Sequence, residues 1–135
     1  MTEPVKAYYD ALRFIYRQWD LPQMDPKSLN ASVVKQHYQQ LSQRYGYAVI
    51  PTEVNISNRA MDLISQPGVL DNAIGLLEMN TENYPASPTA FSQLGDAYLK
   101  KGDHSKAIVY YKKAFALNPG SQSIKAKLIG ASENR

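Results

Sequence analysis

The stretch PTAFSQLGDAYLKKGDHSKAIVYYKKAFALNPGS, residues 88–121, decides how the rest of this chain of 135 residues is read. Phe91, Leu94, Gly95 and Tyr98 recur at the spacing of one helix face. Gly102-Asp103 reads as a turn, because glycine accepts the left-handed backbone that stops a helix. A second helix follows over residues 104–117, with Ala107, Tyr111 and Ala114 on one stripe. Asn118-Pro119-Gly120 closes it, since proline cannot continue a helix. Small residues at Gly95 and Ala107 would let the two helices pack closely, since larger side chains there would push them apart. Phe91, Leu94, Tyr98 and Tyr111 fill the space around that contact.

The same arithmetic returns upstream. Pro85 precedes Pro119 by 34 residues, and Ala73, Ile74 and Leu77 precede Ala107, Ile108 and Tyr111 by the same interval. A helix–turn–helix unit with this period resembles the tetratricopeptide repeat. Residues 88–121 are closely similar to that family, with Phe91, Leu94-Gly95, Tyr98, Ala107, Tyr111, Ala114 and Pro119 at its spacing. Residues 54–87 resemble a degenerate copy, which keeps Ala73, Leu77 and Pro85 but puts Ser57, Ala60, Met61 and Ile64 where the aromatic, leucine, glycine and tyrosine are expected. Residues 122–135, carrying Ile124, Leu128 and Ile129, are similar to a capping helix, needed because each unit buries its apolar face only against a neighbour. The resemblance implies an all-α fold, a fragment of an α-solenoid, and a protein partner.

The N-terminal part, residues 1–51, reads as a helical packing segment ahead of the repeats at 52–135. Tyr8, Leu12, Ile15, Tyr16 and Trp19 stand at helical spacing over residues 4–19. Leu21-Pro22 ends that helix, and Asp25-Pro26 is a further breaker and a candidate helix start. Val33, Val34, His37, Tyr38 and Leu41 place the next helix over residues 32–45, stopped by Gly46. An extended connector over residues 47–51 leads to helices expected over 52–65 and 71–84, then the pair quoted above, then a short one over 121–132. About seven helices result, an N-terminal pair and the repeats, joined by loops of the length antiparallel neighbours need.

Composition narrows the function. Hydrophobic residues make up 44% and charged residues 20%, which suits a globular chain able to bury a core. Cysteine is absent, which removes disulfides, thiol nucleophiles and thiolate zinc sites. The formal charge of +3 comes from scattered pairs such as Lys100-Lys101 and Lys112-Lys113, not from the continuous basic surface that phosphate tracking needs, so no nucleic-acid partner is expected. No run of about 18 apolar residues supports a membrane span. No signal peptide is visible, and the cytoplasm and the periplasm both fit. Two histidines without a ligand motif imply no metal site, and no cofactor is expected. Asp103, His104 and Ser105 cannot converge as a catalytic relay, being sequence neighbours at a helix start; Asp103 reads as an N-cap. His37 reads as a packed core histidine.

A second resemblance covers the region ahead of the repeats. Residues 14–22 (FIYRQWDLP), 37–42 (HYQQLS) and 45–47 (YGY), followed by the repeats, are similar to the C-terminal extension of bacterial putative esterases of the α/β-hydrolase superfamily. This implies an accessory part of a larger serine hydrolase. The Gly-x-Ser-x-Gly elbow that such an enzyme requires is absent from the chain, so no catalytic residue is expected here. The alternative is a free-standing adaptor that binds a peptide segment. For either reading, helical geometry turns Asn55, Asn58, Arg59 and Asp62, and in the next unit Thr89, Ser92, Asp96 and Leu99, toward the concave face. Peptide contact and a solvated helix surface are both open for these residues. Tyr9, Phe14 and Trp19 exceed what one buried stripe needs and form a candidate docking surface for a catalytic domain or a second copy of the chain.

Overall fold

The computed structural model describes residues 4–8, 11 and 21–134. Every regular element among them is helical. Six helices have both ends described: α1 (Ala31–Tyr45), α2 (Glu53–Ile64), α3 (Leu70–Asn83), α4 (Pro88–Lys101), α5 (His104–Leu117) and α6 (Gln122–Glu133). Residues 4–8 and 11 are helical as well.

Local chemistry sets most of the boundaries. Asn30, Thr52, Ser87, Asp103 and Ser121 each accept a backbone N–H from the first turn of the helix that follows, which satisfies a donor that helix geometry leaves open. Pro88 sits at the start of α4, where its missing N–H costs nothing. Gly102 takes a left-handed φ of 86°, and the Asp103 N–H then reaches back to the Tyr98 carbonyl at 2.9 Å, which closes the end of α4 and starts the turn into α5. Asp25-Pro26 does not start a helix. Asp25 accepts from the Lys27 N–H through its side chain and from Ser28 and Leu29 through its carbonyl, making one turn, and the helix waits for the Asn30 cap.

The helices pair in chain order. α2 packs on α3, α3 on α4, α4 on α5 and α5 on α6, with the broadest contact between α4 and α5, and α1 lies against α3. Leu21, Leu29, Val34, Tyr38 and Leu41 join the core that runs through Ile56, Leu76, Leu77, Leu94 and Tyr111. The Lys35–Glu82 ion pair at 3.2 Å is exposed on both sides and adds little; burial holds α1, each large apolar side chain contributing about 1.5–3 kcal/mol. Ser42 fastens the connector, donating to the Tyr38 carbonyl and accepting from the Val49 N–H, both at 2.8 Å. His37 is partly buried and meets Tyr38 edge-on at 5.2 Å.

At the centre of the quoted stretch, a Cβ placed on Gly95 would lie 2.6 Å from Cε1 of Tyr111. The close approach is therefore between the α4 backbone and the Tyr111 ring, with Ala107 and Ala114 fully buried alongside. Phe91 differs from the rest of the set: it is half-buried at the rim, with Lys113 Nζ 5.7 Å from its ring centre. Pro119 is exposed just beyond the Asn118 cap and acts by ending α5.

Gly95→Ala is expected to destabilise the protein by about 1–3 kcal/mol through overpacking against this ring, read as a lower urea midpoint at unchanged slope. A midpoint equal to that of the parent would show that the ring yields freely.

Candidate protein-binding face

The first helices of the successive units lie side by side. Ser57 on α2 donates to Gln93 on α4 at 2.8 Å, and Lys127 on α6 reaches Asp96 on α4 at 2.6 Å. The surface they share is where the concave residues should stand.

On α2 the four residues share one depression. Asn55, Asn58, Arg59 and Asp62, spaced to fall on one helix face, line a single depression of about 720 Å³ together with Leu21, Pro22 and Gln23. Asn58 and Asp62 are exposed. Arg59 Nη2 donates to the Leu21 carbonyl at 3.3 Å, tying the chain that precedes α1 to the wall of the depression. From sequence, Leu21-Pro22 reads as a helix stop and as part of the stretch 14–22, and Gln23 is given no role. Nothing in their residue types marks them as lining, since that role comes from a contact 38 residues away.

On α4 the outcome is different. Ser92 is buried and accepts from Lys127 Nζ at 3.3 Å. Asp96 takes the Tyr111 hydroxyl on Oδ1 at 2.7 Å and Lys127 Nζ on Oδ2 at 2.6 Å. Both residues hold helices together instead of presenting themselves to a ligand. Leu99 packs partly buried against the core, and of the four only Thr89 is exposed. The residue missed is Lys127, although it follows Gln93 by the repeat interval of 34 and could have been found by extending the period into α6. Of the candidate docking residues, Tyr9, Phe14 and Trp19 lie outside the described residues.

Two buried phenols bear on the electrostatics of these contacts. Burial, then the hydrogen bond and the charge of Asp96, push the Tyr111 phenol well above its usual range. Burial and then Glu78, which accepts from Tyr98 at 2.6 Å, do the same for Tyr98. Tyr98 is also stacked on Tyr110 at 5.5 Å, with Lys106 Nζ 4.9 Å from its ring centre. Among the described residues no helix is long and apolar enough to cross a membrane, and no three His, Cys, Asp or Glu side chains gather where they could hold a metal ion.

The family model of the tetratricopeptide repeat matches residues 88–121, the unit made by α4 and α5 and their flanking turns. No curated protein matches the chain. The matched unit is a protein-interaction repeat by type.

The raised phenols stabilise the fold fully below the unfolded tyrosine pKa of about 10, and that contribution is lost as pH climbs toward the folded values. The expected outcome is a urea midpoint that falls above about pH 10, with a smaller fall in Tyr111→Phe. Tyrosinate absorbance that grows for every tyrosine before any loss of helix would contradict it.

Proposed function

We propose that this chain is a non-catalytic, tetratricopeptide-like interaction module that holds an extended segment of a protein partner in the depression on α2. The observation that carries the reading is the asymmetry between the two units. The stripe on α4 is engaged with Tyr111 and Lys127, whereas the corresponding stripe on α2 opens onto a depression of about 720 Å³. Its walls suit a peptide. Asn58 is an exposed amide able to donate to and accept from a backbone, and among the described residues the lining carries one cation and one anion, Arg59 and Asp62.

The finer reading places the module in the C-terminal part of a larger esterase-like hydrolase, where it serves its own catalytic domain. It is supported by the residues at 14–22, 37–42 and 45–47 and by the order of helical segment and repeats. Of these, Tyr38 and Leu41 are core residues of α1, and Ser42 is the latch on the connector, so packing accounts for them too. The alternative is a free-standing adaptor, and the two readings share the same depression.

Replacing Asn58 with arginine fills the depression from an exposed position and should abolish partner retention without lowering the melting temperature. Equal retention by Asn58→Arg and the parent chain would sink the proposed surface. An immunoblot of the source cell separates the contexts: a band several times larger than 15.1 kDa supports the fused hydrolase, and one at that mass supports the adaptor.

A further inference from the structure

The repeat supplies an internal template for what the depression recognises. Asp62 and Asp96 are 34 residues apart, as are Asn58 and Ser92, Leu77 and Tyr111, and Gln93 and Lys127. In the second unit the aspartate is met twice: by the Tyr111 hydroxyl of its own helix pair at 2.7 Å, and by Lys127 of the next helix at 2.6 Å. Lys127 also donates to Ser92 at 3.3 Å, so a carboxylate and a neutral acceptor one turn apart together seat an ammonium group.

The first unit has the same acceptor pair, Asp62 and Asn58, but neither donor. Leu77 stands where the tyrosine would be and has no hydroxyl. Gln93 stands where the lysine would be: it carries no positive charge, and its Oε1 accepts the Ser57 hydroxyl at 2.8 Å. No described residue brings a hydrogen bond or ion pair to the Asp62 carboxylate; the Gln66 amide goes to its backbone carbonyl. Among the described residues the cation lining the same space is Arg59, and its guanidinium is turned to the Leu21 carbonyl at 3.3 Å.

We infer that Asp62 and Asn58 receive a lysine or arginine side chain of the bound peptide, in the way Asp96 and Ser92 receive Lys127. The inference rests on the reading of this depression as a peptide groove and names the chemistry of its occupant. The seat is filled from outside with the group that the second unit takes from its neighbouring helix. A charge-assisted hydrogen bond of this kind is stronger than a neutral one.

The test uses the full chain and libraries of short capped peptides, degenerate at every position but one, which is lysine, arginine, norleucine or glutamate. Binding is read by fluorescence anisotropy. Lysine or arginine libraries should bind about tenfold tighter than norleucine. Asp62→Asn, at an exposed site, should erase the preference, while Asp71→Asn on α3, outside the depression, should preserve it. Norleucine or glutamate binding as tightly as lysine overturns the inference, and so does a lysine preference that survives in Asp62→Asn. Binding without any charge preference leaves the groove standing and removes only this inference, whereas no binding by any library removes both.

Discussion

The fit of the Tyr111 ring against the bare backbone of Gly95 is the constraint on which the second unit depends. A side chain at that glycine would overlap the ring, so the two helices can approach as they do only because one offers no Cβ and the other offers a flat face. The hydroxyl at the far edge of the ring extends the contact. It is buried, needs an acceptor, and takes Asp96, which in turn holds Lys127 of α6. One aromatic side chain thus joins intra-unit packing to inter-unit stacking.

The first unit solves the same problem with different chemistry. Ser57 and Asn80 occupy the repeat positions of Phe91 and Ala114, each 34 residues earlier. There Asn80 Nδ2 donates to the Ser57 hydroxyl and to the Glu53 carbonyl, both at 3.2 Å. Ser57 passes the chain on to Gln93 of the next unit. The joint between units becomes polar. This explains how a unit that departs from the family pattern at four positions of its first helix still stacks on one that keeps it.

Helix placement was legible in the sequence because most boundaries carry their own local chemistry. Helix α5 begins and ends where Asp103 and Pro119 require, and the other five helices with both ends described fall within a residue or so of the reading; the end of the helix expected over residues 4–19 lies outside the described residues. The turn at Asp25 was not legible as such, because aspartate-proline serves equally well to open a helix or to make an isolated turn, and only the stronger cap at Asn30 decides. The concave stripe was half legible. Helical geometry places Asn58 and Ser92 identically, and it places Asp62 and Asp96 identically, so a reading of one helix at a time gives both pairs the same role. Their divergence depends on what stands opposite: a leucine or a tyrosine on the paired helix, a glutamine or a lysine on the next. Depth was equally invisible for Phe91, whose position in the pattern marks it as packing although it sits at the rim under Lys113.

The pairing of each helix with its chain neighbour also shapes how the protein reaches this structure. With most contacts made between elements adjacent in sequence, loops are short to close and little chain entropy is lost before packing begins to compensate. Such an array can start folding at its best-matched pair and extend outward by nearest-neighbour gains. The α4–α5 unit, with the broadest contact, is the natural nucleus, and α1, which returns across the connector to reach α3, is an addition to a surface already formed. The face proposed for binding lies on α2, outside that pair, so occupancy of the depression acts first on a helix that is not part of the most stable unit.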